Sequence, residues 1–462
     1  MRKQKHKKRS KNMKGIIIFL CIVIAMYIGT SVFFMNHFYF GSEINNIKVA
    51  GKTVKEADEL ILASIDKYTL ELKERGDKKE EIKGSEIGLK YNPKDKIVEL
   101  KNSQKPLKWI TSLFSKSDTK LDHIVTFDEK LLKEQIDNLY CINSEDIIEP
   151  KNASFEYSEG GYKVIEEVKG NKINKDALYE NVTNAILQGE TLIDLEESNS
   201  YENPQYTLES TEVNDAKDLL NKYTNLEITY TFGNNKEILD GSTINKWLYV
   251  DENMEVNFDE KKVRSYVDSL ARNYNTFANT RNFDSSSGKT IQVSGGNYGW
   301  IIDKQAEVKE LIETIKKGEN ATKEPVYSQT AVSRDLNDIG DTYVEIDFTK
   351  QHLWFYKNGN LITEGDVVTG NMSNNWGTPA GTYRLNYKER NATLKGEDYA
   401  SPVNYWLPFN GNIGIHDATW RSEFGGEIYM TNGSHGCINS PYELAKKVFE
   451  NIEAGTPIVC YY

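Results

Sequence analysis

Cysteine is scarce, with four in 462 residues, and one of them, Cys21, falls inside the one long apolar run. Cys141, Cys437 and Cys460 are too few and too scattered for a disulfide framework; a single Cys141–Cys460 bridge is all they leave open. There are six histidines, and no further Cys or His stands at zinc spacing near Cys437, so only His416, His435 and Cys437 itself offer ligands there. Net basic charge is confined to the first fourteen residues. "MRKQKHKKRSKNMK" holds eight Lys/Arg and no acid, so the rest of a chain with net charge −12 carries about −20. An acidic bulk of that size argues against a nucleic-acid partner, which needs a basic surface.

The basic stretch precedes "GIIIFLCIVIAMYIGTSVFF", residues 15–34, which has no charged side chain. Twenty helical residues rise about 30 Å, the thickness of a bilayer's hydrocarbon core. Lys/Arg on the N-terminal flank keeps that flank in the cytoplasm and sends the rest outside. The run exceeds the h-region of a secretory signal, and no clear A-x-A site follows it. The expectation is therefore a cytoplasmic tail over 1–14 and a retained transmembrane signal-anchor helix over 15–35.

Beyond the anchor, segments recur. "EADELILASIDKYTLELKERGDKKEEIKGSEIGLKY" (56–91) parallels "DAKDLLNKYTNLEITYTFGNNKEILDGSTINKWLYV" (215–250), each reading as an amphipathic helix, a strand and a polar turn. "FDEKLLKEQIDNL" (127–139) parallels "FDEKKVRSYVDSL" (258–270), and the stretches after Gly160 and Gly295 parallel one another as strand, turn and helix. The period is too long for a solenoid. Two tandem α+β repeat domains follow, 45–200 and 205–328, and then a polar connection, "YSQTAVSRDLNDIG" (327–340). After it the texture changes to strands. "TYVEIDFTKQHLWFYKNGNLITEGDVVTG" alternates apolar and polar residues around an Asn-Gly turn, and "GTPIVCYY" reads as a last strand. Residues 341–462 read as a mostly-β domain with one short helix in "SPYELAKKVFENIEAG", capped at Ser440.

The chemistry concentrates in "NGSHGCINSP" (432–441). A cysteine nucleophile needs a base, donors for the oxyanion and access to substrate. His416 is the best base, because the alternating run "GNIGIH" places it at the end of a strand, with a loop long enough to return Cys437 to it. Gly436 lets the backbone bend beside the sulfur, where main-chain N–H groups can form an oxyanion hole. His435 is the poorer base, since neighbouring side chains in an extended segment point opposite ways. A buried structural thiol and a zinc site are the competing readings.

"IHDATWRSEFGGEIYMTNGSHGCIN" resembles the signature of the L,D-transpeptidase (YkuD-type) catalytic domain: a His, a gap, then Ser/Thr-His-Gly-Cys, a hydrophobic residue and Asn. "GTPAGTY" (377–383) is similar to the family's Thr-Pro-x-Gly element. The two repeats resemble the peptidoglycan-binding repeats that precede such domains in Gram-positive wall enzymes. The resemblance implies a β-sandwich-like C-terminal fold and no metal or organic cofactor. It implies Cys437 as nucleophile with an enlarged thiolate fraction, His416 as base, and the Asp417 backbone carbonyl holding the imidazole tautomer. Main-chain N–H groups around Gly436 and Cys437 form the oxyanion hole, and Ser434, His435 and Asn439 brace the loop and line the site. Tyr405 and Trp406, with Pro408 and Phe409, occupy the place of a substrate-facing lid. The implied partners are peptidoglycan stem peptides, as donor and acceptor in 3→3 cross-linking, and carbapenems as covalent inhibitors. The alternatives are an L,D-carboxypeptidase and a non-catalytic wall-binding scaffold.

Overall fold

The computed structural model describes residues 3–158, 160–334, 337–396 and 400–462, with the side chains of 3–12 excepted. Contacts divide the chain into two compact units, Met1–Ser154 with Val164–Val213, and Phe155–Lys163 with Asn214–Tyr462.

In the first unit the N-terminal helix runs over Lys3–Phe33, and its span Met13–Phe33 is long and apolar enough to cross a bilayer. The globular part follows from local rules. Helix Val54–Ile65 starts in a capping box, with Thr53 and Glu56 satisfying one another's backbone N–H groups. Strand Thr69–Lys73 takes Lys79–Lys83 as its antiparallel neighbour and Leu192–Asp194 as its parallel one. Helix Lys175–Gln188 starts at an Asn174 cap and stops at Gly189, which adopts the left-handed conformation.

The second repeat repeats that plan. Strand Ile228–Phe232 pairs antiparallel with Asn235–Leu239 and parallel with Ala321–Lys323, the latter arriving after helix Lys304–Lys317. The shared "FDEK" is a helix start in both copies: Asp128 and Asp259 accept the backbone N–H groups that follow them.

The C-terminal domain holds two sheets. The strands are β1 (Tyr343–Asp347), β2 (His352–Lys357), β3 (Asn360–Asp366), β4 (Gly381–Arg384), β5 (Glu389–Lys395), β6 (Ala400–Asn410), β7 (Ile413–Asp417), β8 (Ile438–Ser440) and β9 (Pro457–Tyr461). One sheet has the order β3-β2-β1-β9-β4 and the other β5-β6-β7-β8. Asn358 and Gly359 both take positive φ between β2 and β3, as a two-residue hairpin turn demands. Val344, Phe355, Leu407, Ile415, Ile438 and Ile458 meet in one core, which helix Tyr442–Asn451 closes with Leu444, Val448 and Phe449. That helix is capped at Pro441, not Ser440, because Ser440 still belongs to β8. All four cysteines are free, so the Cys141–Cys460 bridge is absent.

The stretch expected as a polar connection is not a free linker. Its strand Tyr327–Gln329 pairs with Ile301–Ile302, and Asp338 and Ile339 are buried; residues 335 and 336 lie outside the described residues. Arg281 donates to both carboxylate oxygens of Asp338 at 2.7 and 2.8 Å, and to the carbonyls of Thr276, Asn279 and Tyr298. The buried Glu345 carboxylate on β1 accepts from Ser286 N–H and from the hydroxyls of Ser286 and Tyr461. Gly296 lies against Thr382 of β4 so closely that a Cβ there would sit 1.9 Å from its carbonyl oxygen. The second repeat and the C-terminal domain are thus one packed body. Arg281→Met should cost about 3–5 kcal/mol, since it strands a buried carboxylate. Denaturant unfolding of the full chain measures this, and a loss below about 1 kcal/mol would contradict the pairing.

Candidate active site

Strand alternation builds the site. On β7, Ile413 and Ile415 turn into the core while Gly414 and His416 face the other way. β8 runs parallel beside β7 in a register that pairs His416 with Asn439. Cys437 immediately precedes β8, and its side chain packs against the cluster of Ala392, Val403 and Trp406. Cys437, His416, Ser434, His435 and Asn439 all line one cavity of about 220 Å³, together with Leu394, Ser401, Trp420 and Arg421. The topology therefore brings thiol and imidazole to one cleft.

Donor and acceptor chemistry fixes the imidazole. Arg421 Nε can only donate, and it donates to Asn439 Oδ1 at 2.8 Å. The Asn439 amide N–H₂ must therefore face the ring, where it lies 3.1 Å from His416 Nε2. Nε2 carries the lone pair, and the proton sits on Nδ1, 2.9 Å from the accepting Asp417 carbonyl. The Asp417 carboxylate points away from His416. It accepts from the backbone of Asn404 and Tyr405 and from the Asn404 side chain, tying β7 to β6.

Burial sets the protonation states. Desolvation holds His416 below the usual imidazole range, although its bond to Asp417 acts the other way. Desolvation pushes the Cys437 thiol up to about 11, opposed by the Gly414 N–H aimed at the sulfur. The thiol contacts the Asn412 carbonyl at 3.5 Å. Both shifts favour a neutral thiol beside a neutral imidazole, the opposite direction to the expected gain in thiolate. The reason is burial, which outweighs the Asp417 charge and carbonyl acting on His416 and the Gly414 N–H acting on Cys437.

Two further expectations need correction. The Gly436 N–H is committed to Ser434 Oγ at 3.0 Å and is not a vacant oxyanion donor. Its φ of +117° nevertheless needs glycine. Tyr405 faces the core, against Tyr442 and Phe449, because it alternates with Trp406 along β6. Pro408 and Phe409 belong to that same strand and are buried, so 405–409 form a sheet strand rather than a lid. Trp406 does lie at the site, its ring 6.0 Å from that of His416.

The loop around Cys437 is braced twice. Ser434 Oγ donates to the Cys437 carbonyl at 2.6 Å while accepting from Gly436. Thr378, in the Thr-Pro element, donates to the Gly436 carbonyl at 2.8 Å and accepts from Gly370 N–H. His435 stacks on Trp376, with ring centroids 4.1 Å apart. Thr378→Val should cost about 1–3 kcal/mol by orphaning two buried backbone groups, read as a lowered Tm. Sequence reasoning missed Arg421, Trp420, Leu394 and Ser401, which no motif marks. A larger cavity, about 350 Å³, lies in the first unit near Ile61, Tyr68 and Ile186, but its walls carry neither cysteine nor histidine.

A strand-rich domain whose thiol and imidazole share a braced cleft is the architecture of a cysteine acyltransferase. The model of the L,D-transpeptidase (YkuD) catalytic domain matches residues 341–460, and that of a peptidoglycan binding domain matches 80–194 and 206–323. A cysteine-to-serine mutant of the Enterococcus faecium L,D-transpeptidase is 37% identical over 52% of this chain and 97% of its own, with a TM-score of 0.44. The Ldtfm–avibactam carbamoyl enzyme is 36% identical over 54% and 98%, with a TM-score of 0.45. The E. faecium catalytic domain acylated by ertapenem is 46% identical over 26% and 97%, with a TM-score of 0.25. No curated relative matches. The chain belongs to the L,D-transpeptidase family, and its activity is that of a peptidoglycan L,D-transpeptidase.

Proposed function

We propose that the enzyme forms 3→3 cross-links through a thioester on Cys437. The observation that carries this reading is the shared cleft, lined by the His416 imidazole, with its lone pair on Nε2, and by the Cys437 thiol. His416 Nε2 takes the Cys437 proton as the Asn439 amide releases it. The sulfur bonds to the carbonyl carbon of the third residue in a tetrapeptide stem. The bond to the terminal D-Ala then breaks, and its nitrogen takes the proton from His416. An amine on the third residue of a second stem attacks the thioester, and sulfur leaves and is reprotonated through the imidazole. With Gly436 committed to Ser434, the donors proposed for the developing oxyanion are the main-chain N–H of Cys437 and the Gly414 N–H beside the sulfur.

The anchor reading belongs here as well. Helix 15–35 holds the protein in the membrane, residues 1–14 stay cytoplasmic, and the rest works at the wall of a Gram-positive bacterium, where domains 45–200 and 205–328 bind the polymer. Lys/Arg asymmetry and the apolar span support this topology. Disaccharide-tetrapeptide incubated with the enzyme should yield cross-linked dimers with release of D-Ala. Tripeptide monomers alone would make it a carboxypeptidase.

A further inference from the structure

The first unit carries an apolar segment that is exposed among the described residues. Pro106–Leu113, within "KPLKWITSLFSK", is a short 3₁₀ helix from which Leu107, Ile110, Leu113 and Phe114 are exposed, Phe114 by 86%. So many large apolar side chains together on a water-facing surface mark a contact site.

Its position says what the contact is. The segment lies along the outer end of the apolar helix. The Tyr27 hydroxyl donates to the Leu107 carbonyl at 2.6 Å, and the Trp109 indole N–H donates to Ser31 Oγ at 3.1 Å. Lys101, buried, donates to the Phe34 carbonyl at 3.0 Å and pins the helix exit. An apolar groove lined by Val23, Met26, Tyr27, Trp109 and Ile110 makes the two surfaces continuous. Tyr27 is six residues inside Phe33, a depth of about 9 Å along the helix, and interfacial helices bury their apolar face about 5–10 Å deep. Between Gln104 and Lys116 there are three lysines and no acid. Two copies meeting through this face would set like charges together, whereas anionic headgroups would neutralise them.

We propose that residues 105–116 form a second membrane contact, seated in anionic phospholipid at the headgroup–acyl boundary of the outer leaflet. This rests on the anchor reading given above. Leu113 and Phe114 enter the acyl region, Trp109 and Tyr27 mark the boundary, and Lys105, Lys108 and Lys116 reach the phosphates.

The test uses the full chain reconstituted in vesicles of equal phosphatidylglycerol and phosphatidylethanolamine, doped with a phospholipid bearing a diazirine near its glycerol. After illumination, adducts are mapped by mass spectrometry. The expected result is labelling of both the 15–34 helix and the 106–114 segment. In the variant L113D/F114D the second signal should fall at least about five-fold while the first stays unchanged. Adducts on the helix alone would overturn the proposal and leave the anchor standing. Adducts on neither would overturn both. Cross-links between 106–114 segments of two copies would also overturn it, in favour of a protein interface.

Discussion

Cys437→Ala should abolish the covalent adduct with a carbapenem and lower cross-linking at least about 10⁴-fold, while the fold survives. The first expectation follows from atom count: without the sulfur no thioester can form. The loss of cross-linking follows for the same reason, and the fold survives because Cys437 is half-buried and Ala removes little packing. Intact-protein mass spectra of wild type and variant after carbapenem exposure read the adduct, and peptide mapping localises it. An adduct of full occupancy in the variant would move the nucleophile elsewhere. Unchanged cross-linking would mean that Cys437 does not carry the reaction.

His416→Ala should lower kcat/KM by about 10²–10⁴-fold, the usual worth of a positioned base. The pH dependence separates this role from an ion pair. A thiol with a pKa of about 11 is ionised at pH 7 in only about one molecule in 10⁴. Alkylation of the variant by iodoacetamide should therefore rise about ten-fold per pH unit through the neutral range. In the wild type the base is competent when neutral, and burial lowers its pKa. Acylation should therefore stay flat through the ordinary imidazole pKa of about 6.5 and fall only further into acid. A wild-type alkylation rate already at its plateau at pH 6 would mean a preformed thiolate–imidazolium pair, which contradicts the resting state described here.

Much of this was legible in the chain. Alternation in "GNIGIH" put His416 on a strand face, and the Asn-Gly turn located the β2–β3 hairpin, because both signals are set by neighbours in sequence. The "FDEK" pairs announced helix starts for the same reason. Tyr405 went wrong because an aromatic run read as a lid is in fact one long strand, and a strand divides its side chains between two faces. The state of the thiol was not legible because desolvation depends on what the fold packs around the sulfur. Arg421 was invisible since its meaning comes only through Asn439, eighteen residues away, which it orients toward the ring. The 106–114 segment was passed over because a short apolar stretch says nothing until its depth beside the helix is seen.

The knot of Arg281 with Asp338, and of Ser286 with Glu345, ties the second repeat to the sheets that carry the cleft. If that repeat binds the polymer as proposed above, the bound glycan also sets the compass bearing of the thiol. On that proposal the choice among neighbouring stems follows from the angle at which the enzyme is clamped, before any peptide enters the groove.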